Sequence, residues 1–365
     1  MKLLVFHPAL APYRVDFFNL LSRLFKAHVV FLGRNLEEQK FDQKRLLARL
    51  KCRVSFLANG FMFCGRYVRT GFISLIRRER PDVVLGYEFS PLTVIILLYR
   101  LVFRVRFGFY TMTDDNAEMF QATRGVRKLL RCLVLRFADG VIVTNQAVAD
   151  LLKSRGVRVA VVPIIYERDA FRANQDSVYK LASDLRRKLD VEKEQILLTV
   201  GRLAKVKNQD WLIETMARSF PDNAKLVIVG GGPEEQALKQ TVDVHPDLKG
   251  RIVLAGRHEG DDLMAYFAAA DLFILPSAFE PYGAVVAEAL LWGVPCLVSS
   301  HVGAKDLIEN GCGCVFEIEK AGDFHAKLSL SLSHLQTWQM ERPSLLRVSF
   351  ADFQDEVRAL LGGAA

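Results

Sequence analysis

Two glutamates eight positions apart, Glu280 and Glu288, stand in the segment Pro276-Ser277-Ala278-Phe279-Glu280-Pro281-Tyr282-Gly283-Ala284-Val285-Val286-Ala287-Glu288-Ala289. Glu280 falls in a loop after the apolar run Leu272–Leu275, and Glu288 in a helix that begins near Gly283. A carboxylate is the usual acceptor for both hydroxyls of a vicinal diol, so Glu288 is a candidate to hold a ribose. The amides of Gly283, Ala284 and Val285 head that helix, where N–H groups lack intrahelical partners and suit an anion or sugar hydroxyls. A loop glutamate such as Glu280 can equally be a solvated charge. Glu288 has less freedom, because its helix is otherwise apolar and a buried unpaired carboxylate is costly.

Two further clusters also follow apolar runs. Gly201-Arg202-Leu203-Ala204-Lys205-Val206-Lys207-Asn208 comes after Leu197–Val200. Arg202 and Lys207, near the start of the next helix, form a cradle for a diphosphate through charge, forked donors and the helix dipole. The plain alternative is a loop with solvated cations. Gly230-Gly231-Gly232-Pro233-Glu234 follows the next run, its glycines permitting either close approach to a ligand or a sharp turn into a helix. It is not G-x-G-x-x-G, since Glu235 stands where the third glycine belongs, and G-x-x-x-x-G-K-[ST] is absent, so a dinucleotide dehydrogenase and a P-loop kinase both lose ground.

The elements that must position these loops are short apolar runs alternating with helical patterns. In the first half the runs are Lys2–Phe6, His28–Leu32, Arg53–Leu57, Asp82–Leu85, Val105–Tyr110, Gly140–Thr144 and Arg158–Val162. In the second they are Gln195–Val200, Lys225–Val229, Arg251–Leu254, Leu272–Leu275 and Pro295–Val298. Such alternation builds parallel sheets with helices on both faces, which bind ligands beyond the carboxyl ends of their strands. The polar stretch between the two sets predicts a domain at 1–170, a linker at 171–194 and a second domain at 195–340. Residues 341–365 form a C-terminal helix that could pack on either domain or cross back to the first.

At 365 residues the chain has room for both domains, and 51% hydrophobic with 25% charged residues excludes disordered and low-complexity classes. Six cysteines without a C-x-x-C pair build neither a disulfide scaffold nor a zinc site, and suit buried thiols in a reducing compartment. The N-terminus is too short in apolar residues for a signal peptide, and the run Leu92–Leu98 is cut by arginines well short of a bilayer span. A cytoplasmic chain is the expectation. Residues 1–170 hold 28 Lys and Arg against 14 Asp and Glu, the remainder 21 against 27. The basic first half therefore faces something anionic.

The ordered set G-R-L…K-N, V-x-V-G-G-G-P-E, A-D-L-F-I-L-P-S…E-P-Y-G-x-V-x-x-E-A and G-V-P-C-L-V-S resembles glycosyltransferase family 4. The likeness runs closely from Val200 to Glu309, includes the family's E-x7-E pair as Glu280 and Glu288, and extends loosely to Pro12-Tyr13-Arg14…Phe17-Phe18 and Ala138-Asp139. It implies the α/β fold GT-B: two Rossmann-like, doubly wound parallel-sheet domains facing an inter-domain cleft. It also implies a retaining enzyme that uses a UDP- or GDP-type nucleotide sugar as substrate, with no cofactor. On that resemblance Arg202 and Lys207 grip the diphosphate and Glu280 contacts the transferred sugar. Glu288, Tyr282, Gly283, Ala284, Val285 and Gly231 line the donor, with Arg257 in the loop against the base. The chain contains no D-x-D, so no metal is expected, and the two cations would take its place on the leaving group.

Many relatives carry a histidine at the end of an N-domain strand facing the sugar. Here Thr111-Met112-Thr113-Asp114-Asp115-Asn116 has none. Asp114 or Asp115 either replaces it or caps the next helix, and Arg14 joins them as acceptor-side candidates; His7 is assigned no role. Arg66, Arg69, Arg77, Arg78, Arg100, Arg104, Arg106, Arg124, Arg127, Lys128 and Arg131, with the aromatic segment Asn59–Tyr67, suggest docking to an anionic membrane or a lipid-linked acceptor. The implied role is surface polysaccharide or lipopolysaccharide synthesis at the inner membrane face. No motif accompanies a nucleic-acid reading. The alternative from another class is a non-catalytic GT-B protein that binds a nucleotide or a partner.

Overall fold

Leu3, Leu4, Val5 and Phe6 are all buried, as a strand covered on both faces of a parallel sheet must be. In the computed structural model, which describes residues 1–35, 41–57, 59–63, 66–191, 194–308, 311–335 and 338–363, this strand is central to the first of two units. That unit comprises Met1–Tyr166 with Ser349–Ala365; the second is Glu167–Val348.

The first unit has strands β1 (Lys2–His7), β2 (Lys26–Phe31), β3 (Arg53–Phe56), β4 (Gly60–Phe63), β5 (Arg66–Arg69), β6 (Val83–Tyr87), β7 (Gly108–Thr113), β8 (Gly140–Val143) and β9 (Val159–Val161). Seven form a parallel sheet in the order β3-β2-β1-β6-β7-β8-β9, while β4 and β5 pair as a separate hairpin. Its helices are α1 (Val15–Leu24), α2 (Gln43–Arg49), α3 (Phe72–Glu79), α4 (Pro91–Val102), α5 (Ala117–Ala122), α6 (Gly125–Phe137) and α7 (Gln146–Lys153). Leu75, Ile76, Ile96, Leu97 and Val134 from α3, α4 and α6 close one apolar layer over Leu4, Phe6, Val30 and Val84.

The second unit begins with α8 (Arg168–Phe171) and α9 (Gln175–Lys188). Its strands are β10 (Gln195–Val200), β11 (Ala224–Val229), β12 (Ile252–Gly256), β13 (Leu272–Leu275), β14 (Cys296–Ser299) and β15 (Gly313–Phe316), parallel in the order β12-β11-β10-β13-β14-β15. Helices α10 (Gln209–Arg218), α11 (Glu235–Asp243), α12 (Gly260–Ala269), α13 (Val285–Leu291) and α14 (Asp323–Ser333) connect them. The chain's last helix, α15 (Phe350–Gly362), belongs to the first unit. Ser349 and Asp352 cap its start reciprocally, and Arg158 donates to the carbonyls of Ala359 and Leu360 at its end, both at 3.3 Å. Glu356 accepts from the amide of edge-strand residue Val161 at 3.0 Å.

Four expectations change. The stretch 171–194 is not a bare linker, because α9 lies in it and packs on α12. The strand expected at Val105–Tyr110 runs from Gly108 to Thr113. Gly313–Phe316 is an additional strand, and a Cβ at Gly313 would collide with the Cys296 carbonyl of its neighbour. The aromatic segment Asn59–Tyr67 falls largely in the β4–β5 hairpin, which continues to Arg69, with Phe61 and Met62 exposed; Cys64 and Gly65 lie outside the described residues.

Candidate functional site

Each sheet is wound outward in both directions from one pair of strands, β1/β6 in the first unit and β10/β13 in the second. Loops leaving such a pair diverge and open a crevice at the carboxyl end. In the second unit those loops carry Arg202 and Lys207 after β10, and Glu280 to Gly283 after β13.

The geometry there is built largely by glycine. A Cβ at Gly230 would strike the Gly201 carbonyl oxygen, and one at Gly232 the Leu203 carbonyl, so the loop after β11 lies backbone to backbone on the loop after β10. The Leu203 amide donates to the Gly231 carbonyl at 3.1 Å across that contact. Arg202 is exposed, and its carbonyl accepts from buried Gln209 at 3.2 Å. Lys207 ends a single 3-10 turn, Lys205–Lys207, before Asn208 turns left-handed at φ 60° to start α10. The Ala278 amide donates to the Val206 carbonyl at 3.0 Å, which stitches the loop after β13 to this turn. Across the stitch, Lys207 Nζ donates to Glu280 Oε2.

Glu280 is buried to 8% exposure, while the Lys207 side chain keeps 21%. Gly283 is favoured by its left-handed φ of 92°, and a Cβ there would also sit tightly, 3.1 Å from both Glu280 Cγ and Val302 Cγ1. Ala284 heads α13 without a side-chain cap, and Val285 is the helix's first residue. Glu288 is half-buried on the same helix. Tyr282 is buried and its carbonyl accepts from Ala304 at 2.7 Å. Arg257 stands on the exposed side of its loop, bonded to Glu259 at 3.1 Å.

The first unit gathers a second set of charges at its own switch point. Arg14, only 3% exposed, donates to Asp114 Oδ1, and Tyr87 Oη donates to Asp114 Oδ2 at 3.1 Å. Asp115 turns to Arg131 Nη2 at 2.5 Å, and that guanidinium lies 4.1 Å from the Phe120 ring centroid. Arg131 is thus buried rather than part of the basic surface. Neither aspartate caps the next helix; the cap of α5 is Asn116, which accepts from Met119 at 2.9 Å. His7 packs its ring 4.4 Å from Tyr87, with Nδ1 2.8 Å from the Ala9 carbonyl. Burial, reinforced by the Arg14 cation, lowers its pKa to about 3, so it is neutral at physiological pH.

Sequence reasoning missed Glu88. It follows β6 directly at a left-handed φ of 53°, held by its amide on Met112 at 2.7 Å. Its carboxylate accepts from the Asp114 amide at 2.9 Å and Thr113 Oγ1 at 2.8 Å. Burial, followed by repulsion from Asp114 and Asp115, pushes its pKa up to about 8. Its position immediately after an apolar run was the available signal.

A raised carboxyl pKa means the folded chain keeps a proton that the unfolded chain releases near 4.5. The associated stability is present below that value and is lost as pH rises through about 8. His7 acts with the opposite sign, between about 3 and 6.5. Stability against urea is therefore expected to decline from pH 6.5 to about 8, and Glu88→Gln to abolish that decline. An unchanged decline in the variant would sink the assignment.

Residues 182–336 match the family model for glycosyl transferases group 1. The chain is similar in fold to an Anabaena protein, HepE, crystallised with UDP, with a TM-score of 0.70 at 18% identity over 100% of this chain and 94% of that one. The fold is GT-B. Sequence relatives of this GT-B chain include mannosylfructose-phosphate synthase of Agrobacterium fabrum, 28% identical over 62% of the chain and 52% of the relative. A putative teichuronic acid biosynthesis glycosyltransferase of Bacillus subtilis is 29% identical over 54% of the chain and 48% of the relative. The chain thus spans about half the length of these curated relatives. The matched segment contains Arg202, Lys207, Glu280 and Glu288, so the second unit of the GT-B fold carries the group 1 likeness.

Proposed function

We propose that the chain is a retaining glycosyltransferase of family 4 type, moving a sugar from a nucleotide-diphosphate sugar to a glycan or lipid-linked acceptor. The observation that carries this reading is the Lys207–Glu280 pair at the β10/β13 switch point, with exposed Arg202 on the adjoining loop. An ammonium has three donors, so the bond to Glu280 does not exhaust Lys207. In the proposed step the bond from the sugar's anomeric carbon to the diphosphate breaks. The acceptor oxygen bonds to the same face, and the acceptor's proton passes to the departing diphosphate. Arg202 and Lys207 stabilise the charge that develops there without a metal, and Glu280 orients the sugar while fixing Lys207. Glu288 holds the ribose, and the Tyr282–Val285 segment, Gly231 and Arg257 complete the donor contacts.

On the first unit, Asp114 and Glu88 are the proposed acceptor-side groups, with Arg14 and Asp115 positioning them. The role of the Bacillus relative in teichuronic acid synthesis supports a surface polysaccharide acceptor, and we place the reaction in the cytoplasm at the inner membrane face. Five thiols among the described residues, none in a disulfide, suit that compartment.

Thermal unfolding against UDP, GDP, ADP and CMP with their common sugars tests the donor site. A ligand in hundredfold excess over its Kd adds about 2.7 kcal/mol. One diphosphate nucleotide is expected to stabilise the chain equally in EDTA and in Mg²⁺. No response to any nucleotide would reject the reading, and a response only with Mg²⁺ would reject metal independence.

A further inference from the structure

We propose that the outer face of α4 and α6 is a seat for an anionic lipid bilayer. The inference deepens the membrane-side reading above by naming the surface and the lipid chemistry. Helix α4, PLTVIILLYRLV, is apolar almost all round, yet the core buries Val94, Ile96, Leu97 and Tyr99, with Leu92 packed partly against them. Its other side leaves Ile95, Leu98 and Val102 exposed at 39%, 42% and 70%, with Phe103 beyond its end at 64%. Helix α6 packs beside it and adds Val126 at 71% and Leu129 at 68%. Positions 95, 98 and 102, and 126 and 129, recur at helical spacing, so each set forms a stripe rather than scattered exposure. A helix of 12 residues is about 18 Å long. Among the described residues no helix is long and apolar enough to cross a membrane. Such a helix can lie in the interface, not through it.

The charge identifies the occupant. Residues 91–107 and 124–137 contain eight Arg and Lys and no Asp or Glu. Arg100 pairs with Asp139 at 2.9 Å, and Arg131 with Asp115. Arg104, Arg106, Arg124, Arg127, Lys128 and Arg136 are exposed. A second copy of the chain docking through the same face would set these cations against one another. An anionic bilayer supplies hydrocarbon for the stripes and phosphates for the cations.

Co-sedimentation of the full chain with vesicles of phosphatidylcholine alone, and of equimolar phosphatidylcholine and phosphatidylglycerol, tests this. Binding is expected only to the anionic vesicles, weakening as salt rises. Joint substitution of Val102→Ser, Phe103→Ser, Val126→Ser and Leu129→Ser is expected to lower the partition coefficient about tenfold or more. Joint substitution of Arg104→Glu, Arg127→Glu and Lys128→Glu is expected to lower it by about fivefold or more per site, since each cation near the surface is worth about 1 kcal/mol. All of these side chains are exposed, and unchanged melting of the variants confirms folding. The proposal is overturned if the parent ignores anionic vesicles or if either variant binds as the parent does. It is also overturned if the parent is a dimer that the serine variant converts to monomer, or if an acidic protein partner competes where vesicles do not bind. Nucleotide thermal shifts on the same variants keep the two readings apart. Vesicle binding without any nucleotide response upholds the surface and rejects the donor site, and the reverse result does the opposite.

Discussion

Lys207→Met is expected to lower sugar transfer by about 100- to 1000-fold, the usual cost of deleting one preorganised group that meets charge developing in a transition state. The ammonium is the cation held at the β10/β13 switch point, and Glu280 fixes where it points. Methionine keeps most of the aliphatic stem, so the turn Lys205–Lys207 and its bond to Ala278 should survive. Because the diphosphate is already charged in the bound donor, part of the loss should appear as weaker nucleotide binding and the larger part in kcat. Glu280→Gln should separate the roles. It preserves shape and hydrogen-bonding capacity but loses the charge that orients Lys207, so turnover falls while nucleotide affinity is retained. Steady-state kinetics beside equilibrium binding of the nucleotide would show this. Parent-like turnover in Lys207→Met would end the proposed mechanism. A parent that binds nucleotide but transfers sugar from no donor would establish the binding-protein alternative.

Asp114→Ala is expected to destabilise the chain by about 3–5 kcal/mol, as expected when one partner of a buried ion pair is removed. Arg14 is 3% exposed, and its guanidinium is held against Asp114 beside Tyr87 and Tyr13. Burial opposes its charge, but the attraction of Asp114, followed by Tyr87 and Tyr13, outweighs this and raises its pKa above the ordinary arginine value. Without the carboxylate, that charge would have only burial to meet. The double variant Arg14→Met with Asp114→Asn should recover much of the loss, because no uncompensated charge remains. Urea unfolding of the two single variants and the double variant measures the coupling. Asp114→Ala should also bring the pKa of Glu88 down, since Asp114 is the larger of the two repulsions acting on it. A loss below about 1 kcal/mol in Asp114→Ala would mean that the pair is solvated rather than buried.

How much of this was legible beforehand depended on whether a residue's role is local. The parallel strands of both sheets were readable where both faces are buried and the run is continuously apolar, as in Leu3–Phe6 and Leu197–Val200. Strand β15 escaped because Gly-Cys-Val-Phe is short, opens on a glycine and follows Gly311. Helix α9 escaped because its buried face includes a cation. Arg186 sits among Val178, Tyr179 and Ala182, bonded to Asp271 at 2.9 Å, so its pattern reads as polar. The loops after β10, β11 and β13 were recognisable as candidate site segments from glycine, cation and carboxylate placed directly after apolar runs. Glu88 had the same placement but belongs to no comparable run of motif residues.

By itself the sequence determined the two-sheet architecture, the placement of Arg202, Lys207 and Glu280 in loops after strands and of Glu288 on the helix that follows, and the excess of positive charge in the first half. These follow from periodicity and composition, which are properties of neighbouring residues. Only the tertiary structure decided that Lys207 meets Glu280 across 73 positions, that Arg14 meets Asp114 across 100, and that Asp115 is committed to Arg131. It also decided which face of α4 the core leaves outside. Those outcomes depend on strand order and on the direction in which each loop leaves its sheet. Chain segments far apart in sequence become neighbours only once the parallel strands have chosen their partners.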